Sequence, residues 1–418
     1  MNLLCITSSR AGKPWIALLL IGFLIQANPG VSNGRAWWPW LNDGPPSWSE
    51  TMMTEHVPSP GCSKATVPVE KWVSIPCSAV PVQGWYTPRR TDKGAAAGAR
   101  EVAAFVQPKG GRPGTIRRVE GAFSDAKVAG EVNATRDGKI TPGAGVFSLQ
   151  LNTNTFATPM CKGSANPDCR GWEQFILSND PGSAAGQLFI QYWLLHFGSP
   201  CPGMWTPSGS DCVFTTQAVE VKLLTLKQLN NVILSAKVED NGTDTVVLNQ
   251  PGSELFAFNS DSRLELAPNW TTAQFNVFGD KAGRQAMFSP GSWLMGDVRV
   301  DAESDGDVVP IVVSLSGETN SLTQLTPGCR RAGIPGVSFK ESNVAGDGYI
   351  CPDDQCGLHR QEVAYDQKAL ATAQAALATP ACSGEELQSV CQQELNIALR
   401  ILHTEESATK EICRKKTP

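Results

Sequence analysis

The sequence predicts a mainly β protein, a two-sheet antiparallel β-sandwich with a helical hairpin appended at its C-terminus. Three observations carry this. From about Glu120 to Leu325, short runs rich in Val, Ile, Phe and Thr are separated by Gly, Asn, Asp and Pro turns. Helical periodicity is almost absent between them. After Pro352 the composition switches to alanine and other strong helix formers.

The chain opens with a leader-like segment, residues 1–35. Arg10 and Lys13 supply positive charge, and Trp15 to Ile25 form an unbroken apolar run. About 11 apolar residues fall short of the about 20 that a membrane helix needs, so the run fits the core of a secretory signal. Ala27 and the Val31–Ala36 segment are plausible cleavage points. Later segments are too short in apolar residues to span a bilayer once that signal is removed. The expected location is therefore extracellular or periplasmic.

Cysteine usage agrees with export. Without Cys5 an even set remains: Cys62, Cys77, Cys161, Cys169, Cys201, Cys212, Cys329, Cys351, Cys356, Cys382, Cys391 and Cys413. In an oxidising compartment such a set reads as a disulfide framework. Proximity suggests the local pairs Cys62–Cys77, Cys161–Cys169 and Cys201–Cys212. The net charge of −5, from 35 basic and 40 acidic residues, lacks the basic excess expected of a nucleic-acid partner.

Residues 36–119 form an arm and N-terminal strands. The arm begins WWPWLNDGPPSW, where proline prevents a regular helix or a central strand. Its tryptophans pin an extended segment across a sheet or stack on sugar rings. Residues 120–335 form the sandwich. Its clearest strands are GVFSLQLNT, EQFILSN, GQLFIQYWLLHF, AVEVKLLTL, NVILSAKVED, DTVVLNQ, TAQFNVFGD, SWLMGDVRVD and VVPIVVSLSG. Many alternate apolar and polar residues, the mark of a strand with one buried face.

The hairpin occupies residues 350–418. Gln361 to Ala378 makes one helix, Thr379-Pro380 breaks it, and Ser383 with Glu386 forms a capping box for the second. Leu387, Val390, Cys391, Leu395, Ala398 and Leu402 stripe that second helix.

Several motifs fall short of chemistry. The run Asp301-Ala-Glu303-Ser-Asp305-Gly306-Asp307 starts like a calcium loop, but its twelfth position is Val312 rather than a bidentate glutamate. It reads as an acidic hairpin turn. Cys351 and Cys356 beside His359 do not complete a zinc set. Neither a metal nor a cofactor is implied, and no nucleophile elbow or phosphate loop is present.

The candidate site rests on two strand segments. Gly171-Trp172-Glu173-Gln174-Phe175 is followed by the aromatic strand ending in Tyr192-Trp193. The second segment, Ala273-Gln274-Phe275-Asn276, is followed by Ala286-Met-Phe288. This order resembles the eqolisin glutamic peptidases, acid endopeptidases on a concanavalin-like sandwich, and the related neprosin-like proteins. The likeness spans about Phe147 to Leu294.

In that family a glutamate acts as general base on water and a glutamine steadies the oxyanion. The resemblance puts Gln174 at the glutamine position and Gln274 at the glutamate position. An amide cannot take a proton from water near physiological pH, so the base is missing there. Glu173 is the substitute nearest in sequence, yet strand alternation turns it to the opposite face unless a bulge intervenes. Glu220 is a further carboxylate without a placed side chain.

Three functions follow. The first is a binding groove on a catalytically altered scaffold. In it Trp172, Tyr192 and Trp193 stack, and Gln174 and Gln274 hydrogen-bond, against an extended peptide or polysaccharide. The second is a secreted acid endopeptidase of glutamic type. The third is a structural surface or envelope protein whose tail mediates assembly.

Overall fold

The computed structural model describes residues 52–344, except 53–54, 59, 67–70, 81–100, 108–113, 130–131, 137–138, 142–144, 241, 251–253, 280–284, 303–307, 314–318, 325–327 and 331–334, and the single positions 374 and 399. The leader, the Trp/Pro-rich start of the arm and the C-terminal helical hairpin lie outside the described residues. Residues 46–353 form one compact unit.

The strands run in chain order as β1 (Gly61–Thr66), β2 (Val73–Ile75), β3 (Glu101–Val106), β4 (Ile116–Lys127), β5 (Val132–Arg136), β6 (Lys139–Thr141) and β7 (Phe147–Thr153). Next come β8 (Arg170–Asn179), β9 (Gly186–Leu195), β10 (Thr206–Ser208), β11 (Asp211–Thr215), β12 (Val219–Val221), β13 (Ile233–Glu239), β14 (Thr243–Asn249) and β15 (Glu254–Asp261). The series ends with β16 (Thr272–Phe278), β17 (Gln285–Phe288), β18 (Trp293–Ala302), β19 (Val308–Val313), β20 (Thr319–Asn320), β21 (Thr323–Gln324), β22 (Cys329–Arg330) and β23 (Gly336–Ser342).

Two large antiparallel sheets face each other, as the sequence predicts. The first has the order β2-β1-β15-β14-β13-β4-β18-β23-β21, with β22 beside β23. The second has the order β10-β11-β9-β8-β7-β16-β3-β19, with β12 beside β9. A smaller sheet, β20-β17-β5-β6, includes one parallel pair. Phe175, Leu177, Ile190, Leu151 and Phe275 from the second sheet share one core with Val119, Phe123, Leu234 and Val246 from the first. The sheets approach closely where Phe275 lies over Gly121, since a Cβ there would stand 2.2 Å from the Phe275 ring.

All nine strand segments named from sequence contain strands, although AVEVKLLTL contributes only the short β12 before a 3₁₀ turn at Leu226–Asn231. Three further features depart from the reading. The sandwich extends past 120–335 at both ends. β1 pairs with β15, β3 lies between β16 and β19, and β23 borders β18. β3, EVAAFV, sets Val102, Phe105 and Val106 beside two alanines, a strand-forming run that lay outside the expected sandwich.

Second, the strands on either side of the acidic segment, read as a hairpin turn, are not hairpin partners, and residues 303–307 lie outside the described residues. β18 belongs to the first sheet and β19 to the second. Third, the alternating strands of the second sheet do not have one wet face. β7 and β16 are buried at every position, and β8 and β9 at all but one each.

All three local disulfides read from spacing are present: Cys62–Cys77, Cys161–Cys169 and Cys201–Cys212. Cys329 is also disulfide-bonded, with its partner outside the described residues. These bonds are consistent with an extracellular protein. Among the described residues no helix is long and apolar enough to cross a membrane.

Candidate functional site

Strands β9, β8, β7 and β16 lie side by side, and their registers align one polar row across the second sheet. Gln274 pairs with Asn152, Asn152 with Gln174, and Gln174 with Gln191. Thr215 of β11 continues the row beyond Gln191, and Ala103 of β3 ends it beyond Gln274. The two glutamines singled out from sequence are thus on one face, a strand apart. Alternation puts Trp172 and Ile176 on that face of β8, and Trp193 and Phe189 on that face of β9.

The row is bonded side chain to side chain. Trp193 Nε1 donates to Gln174 Oε1 at 3.0 Å. Gln174 Nε2 donates to Gln150 Oε1 at 2.9 Å and to Asn152 Oδ1 at 3.0 Å. Asn152 Nδ2 donates to Gln274 Oε1 at 3.3 Å, and Gln191 Nε2 to Thr215 Oγ1 at 3.0 Å. Gln174 therefore spends both amide protons within the sheet. Gln274 does not: its Nε2 has no acceptor, nor has Gln191 Oε1 a donor. The unpaired donor of the row is on Gln274.

Trp172 and Trp193 flank the amides as a tilted pair with centroids 6.3 Å apart. Trp172 Nε1 is held by the Thr153 carbonyl at 2.9 Å. The four amides and both indoles are completely buried, at 0% exposure. The face is closed to solvent in the folded chain. The open groove expected to be lined by Trp172, Gln174, Tyr192, Trp193 and Gln274 is therefore not seen: all five are fully buried.

Glu173 and Tyr192 do not share this face. The registers of β8 with β7 and β9 run without a bulge, so both point between the sheets, where they sit directly opposite each other. There Tyr192 Oη donates to Asp244 Oδ2 of β14 at 3.1 Å. Burial, reinforced by the charge of Asp244, raises the Glu173 carboxyl well above the ordinary range. Burial also raises Asp244, to about 6. Glu220 lies exposed on β12.

One carboxylate does join the amides of β16. Glu341 of β23 accepts from Asn276 Nδ2 through Oε1 at 2.8 Å and from Asn320 Nδ2 through Oε2 at 2.9 Å. Burial raises its carboxyl, against those two hydrogen bonds. Asn276 is cross-paired with Gln150, which touches Gln174. Sequence reasoning missed Asn152, Gln150, Gln191, Asp244 and Glu341. The period-two spacing of Gln150 and Asn152 in FSLQLNT was the available signal, and it reads equally as a solvated face.

No family model matches the chain, and no curated protein matches it. Among solved structures it has a distant likeness to scytalido-glutamic peptidase bound to a peptide-based transition-state analogue. The identity is 11% and the TM-score 0.27, over 60% of this chain and 98% of that one. A likeness of this size assigns no residue a role.

Proposed function

We propose that this is a secreted β-sandwich protein whose amide row is a recognition face for an extended peptide or polysaccharide, on a glutamic-peptidase-like scaffold without its general base. The observation that carries the reading is the unpaired Nε2 of Gln274, within four adjoining amides and beside two tryptophans. A buried donor without an acceptor costs about 1–3 kcal/mol, and a carbonyl or hydroxyl oxygen of a ligand would relieve it. The Trp172–Trp193 pair supplies flat apolar surface of the kind that stacks on sugar rings or peptide side chains.

Recognition rather than hydrolysis follows from the composition of the row. It holds four amides and no carboxylate, and losing a general base typically costs two to four orders of magnitude in rate. Since the face is closed in the folded chain, occupancy requires its cover to move aside. The complete burial favours a second reading, in which the row is a structural ladder of a surface or envelope protein.

Retention on immobilised polysaccharides and on peptide columns separates the two. It is measured on the full chain and again after the Trp/Pro-rich start of the arm, residues 36–49, is removed by limited proteolysis. Recognition predicts retention in at least one form, released by free ligand and lost in Gln274→Met. No retention in either form leaves the structural reading. Cleavage of denatured protein at acidic pH, abolished by Gln174→Ala, would instead establish the endopeptidase.

A further inference from the structure

The core between the sheets holds two acids that the amide row does not use. Glu173 on β8 and Asp244 on β14 come from opposite sheets, and both are buried to within 1%. Tyr192 stands opposite Glu173 on β9 and gives its hydroxyl proton to Asp244. Neither oxygen of Glu173 receives a donor from another residue. Asp244 has the hydroxyls of Tyr192 and Ser262 beside it, but Glu173 has only Asp244, and two such adjoining carboxyls cannot both remain ionised in an apolar core.

We propose that Glu173 and Asp244 share a proton in a carboxyl–carboxylate hydrogen bond that clasps the two sheets, so that the sandwich is held in acidic surroundings and loosens as they become alkaline.

The groups around the pair support a proton rather than a cation as the neutralising charge. Ser260 of β15 faces Tyr192, and Ser262, just beyond β15, faces Asp244. Neither β7 nor β9 carries a charged residue. Arg170, at the start of β8, donates to the carbonyls of Pro167 and Cys169. On β13, Lys237 is paired with Glu239 at 2.7 Å. On β15, Glu254 is bound by Lys64 and Lys222, and Asp261 is exposed. Arg263 lies over the Phe214 ring, which in turn packs on Tyr192.

The upward shifts of both acids agree with the geometry. An acid raised in the folded state adds stability that is present below its unfolded value, about 4, and lost as pH rises through the folded one. Each proton retained only by the folded chain changes the unfolding equilibrium constant about tenfold per pH unit. The clasp is independent of what the amide row binds.

Urea denaturation of the intact, oxidised protein between pH 4 and 8 tests it. The wild-type midpoint should fall steadily as pH rises. Glu173→Gln donates to Asp244 without a titrating proton and should flatten that fall, as should Asp244→Asn from the other side. Glu341→Gln serves as the control and should keep most of the slope. A wild-type midpoint that is flat or rises with pH overturns the clasp, as does an unchanged slope in both pair variants. Should neither variant fold, infrared spectra of Glu341→Gln near neutral pH decide. A protonated-carboxyl carbonyl band supports the shared proton, and its absence overturns it.

Discussion

Gln174 and Gln274 occupy equivalent positions in one row, yet their side chains are bound very differently. Gln174 accepts from Trp193 and donates to both Gln150 and Asn152. Gln274 only accepts, from Asn152. Replacing Gln174 by Leu removes three buried hydrogen bonds, those with Trp193, Gln150 and Asn152, whereas Gln274→Leu removes only the one from Asn152. Each buried group left without a partner costs about 1–3 kcal/mol, so Gln174→Leu should be the more destabilising by about that amount or more, read as urea midpoints. Equal losses would mean that the row contributes nothing as a network. Gln274→Glu puts a carboxyl into the same closed site, where burial raises it. Its stability relative to wild type should therefore be best near pH 4 and fall as pH rises past about 4.3, the unfolded value, measured by thermal melts across pH. That Gln174 and Gln274 share one face was expected from the family resemblance, whereas the Asn152 that lies between them was not. The role of Asp244 was not legible either, because DTVVLNQ contains nothing to distinguish a buried aspartate from a turn residue.

At the scale of elements, the two faces of the second sheet explain what the strand patterns conceal. Alternation along β8 separates Trp172, Gln174 and Ile176 from Glu173, Phe175 and Leu177, and an unbulged register keeps that separation across β9. The pattern is the same whether the polar set meets water or other amides, so burial of the outer face could not be read from it. Glycines mark where strands come closest. A Cβ on Gly121 of β4 would enter the Phe275 ring of β16, and one on Gly296 of β18 would enter the ring of its cross-strand partner Phe339. Aromatic rings cover the glycine backbone at both places. Gly121→Val should destabilise by about 1–3 kcal/mol through overpacking, checked by chemical denaturation. If it is tolerated without loss, the sheets are further apart there than Phe275 and Phe123, at 5.0 Å, imply.

For the whole molecule, the cross-links and the buried acids act on stability from different directions. The Cys62–Cys77 bond closes a loop of 15 residues and Cys161–Cys169 one of 8. On loop entropy the first contributes about 3 kcal/mol and about 0.6 kcal/mol more than the second. Paired Cys→Ser variants compared by denaturation measure both values, and the reverse order would show that strain or residual unfolded structure dominates. Glu173, Asp244 and Glu341 all titrate upward in the folded chain. Their contributions have the same sign, present at acidic pH and lost as pH rises. Glu254, lowered by Lys64 and Lys222 at the surface, contributes weakly with the opposite sign. The three buried acids should therefore make the fold more stable in acid than in alkali.

The sequence alone determined the β architecture and the strand segments, and it suggested the three local disulfides that the structure contains. Each of these depends on residues near one another in the chain, through period-two alternation, turn residues and cysteine spacing. Only the tertiary structure decided which polar residues meet. Gln274 reaches Asn152 across 122 positions, and Tyr192 reaches Asp244 across 52. β3 joins the interior of a sheet from outside the expected domain. Such contacts depend on which strands become neighbours and on what covers a face, and these are set by burial of the entire chain rather than by any local preference.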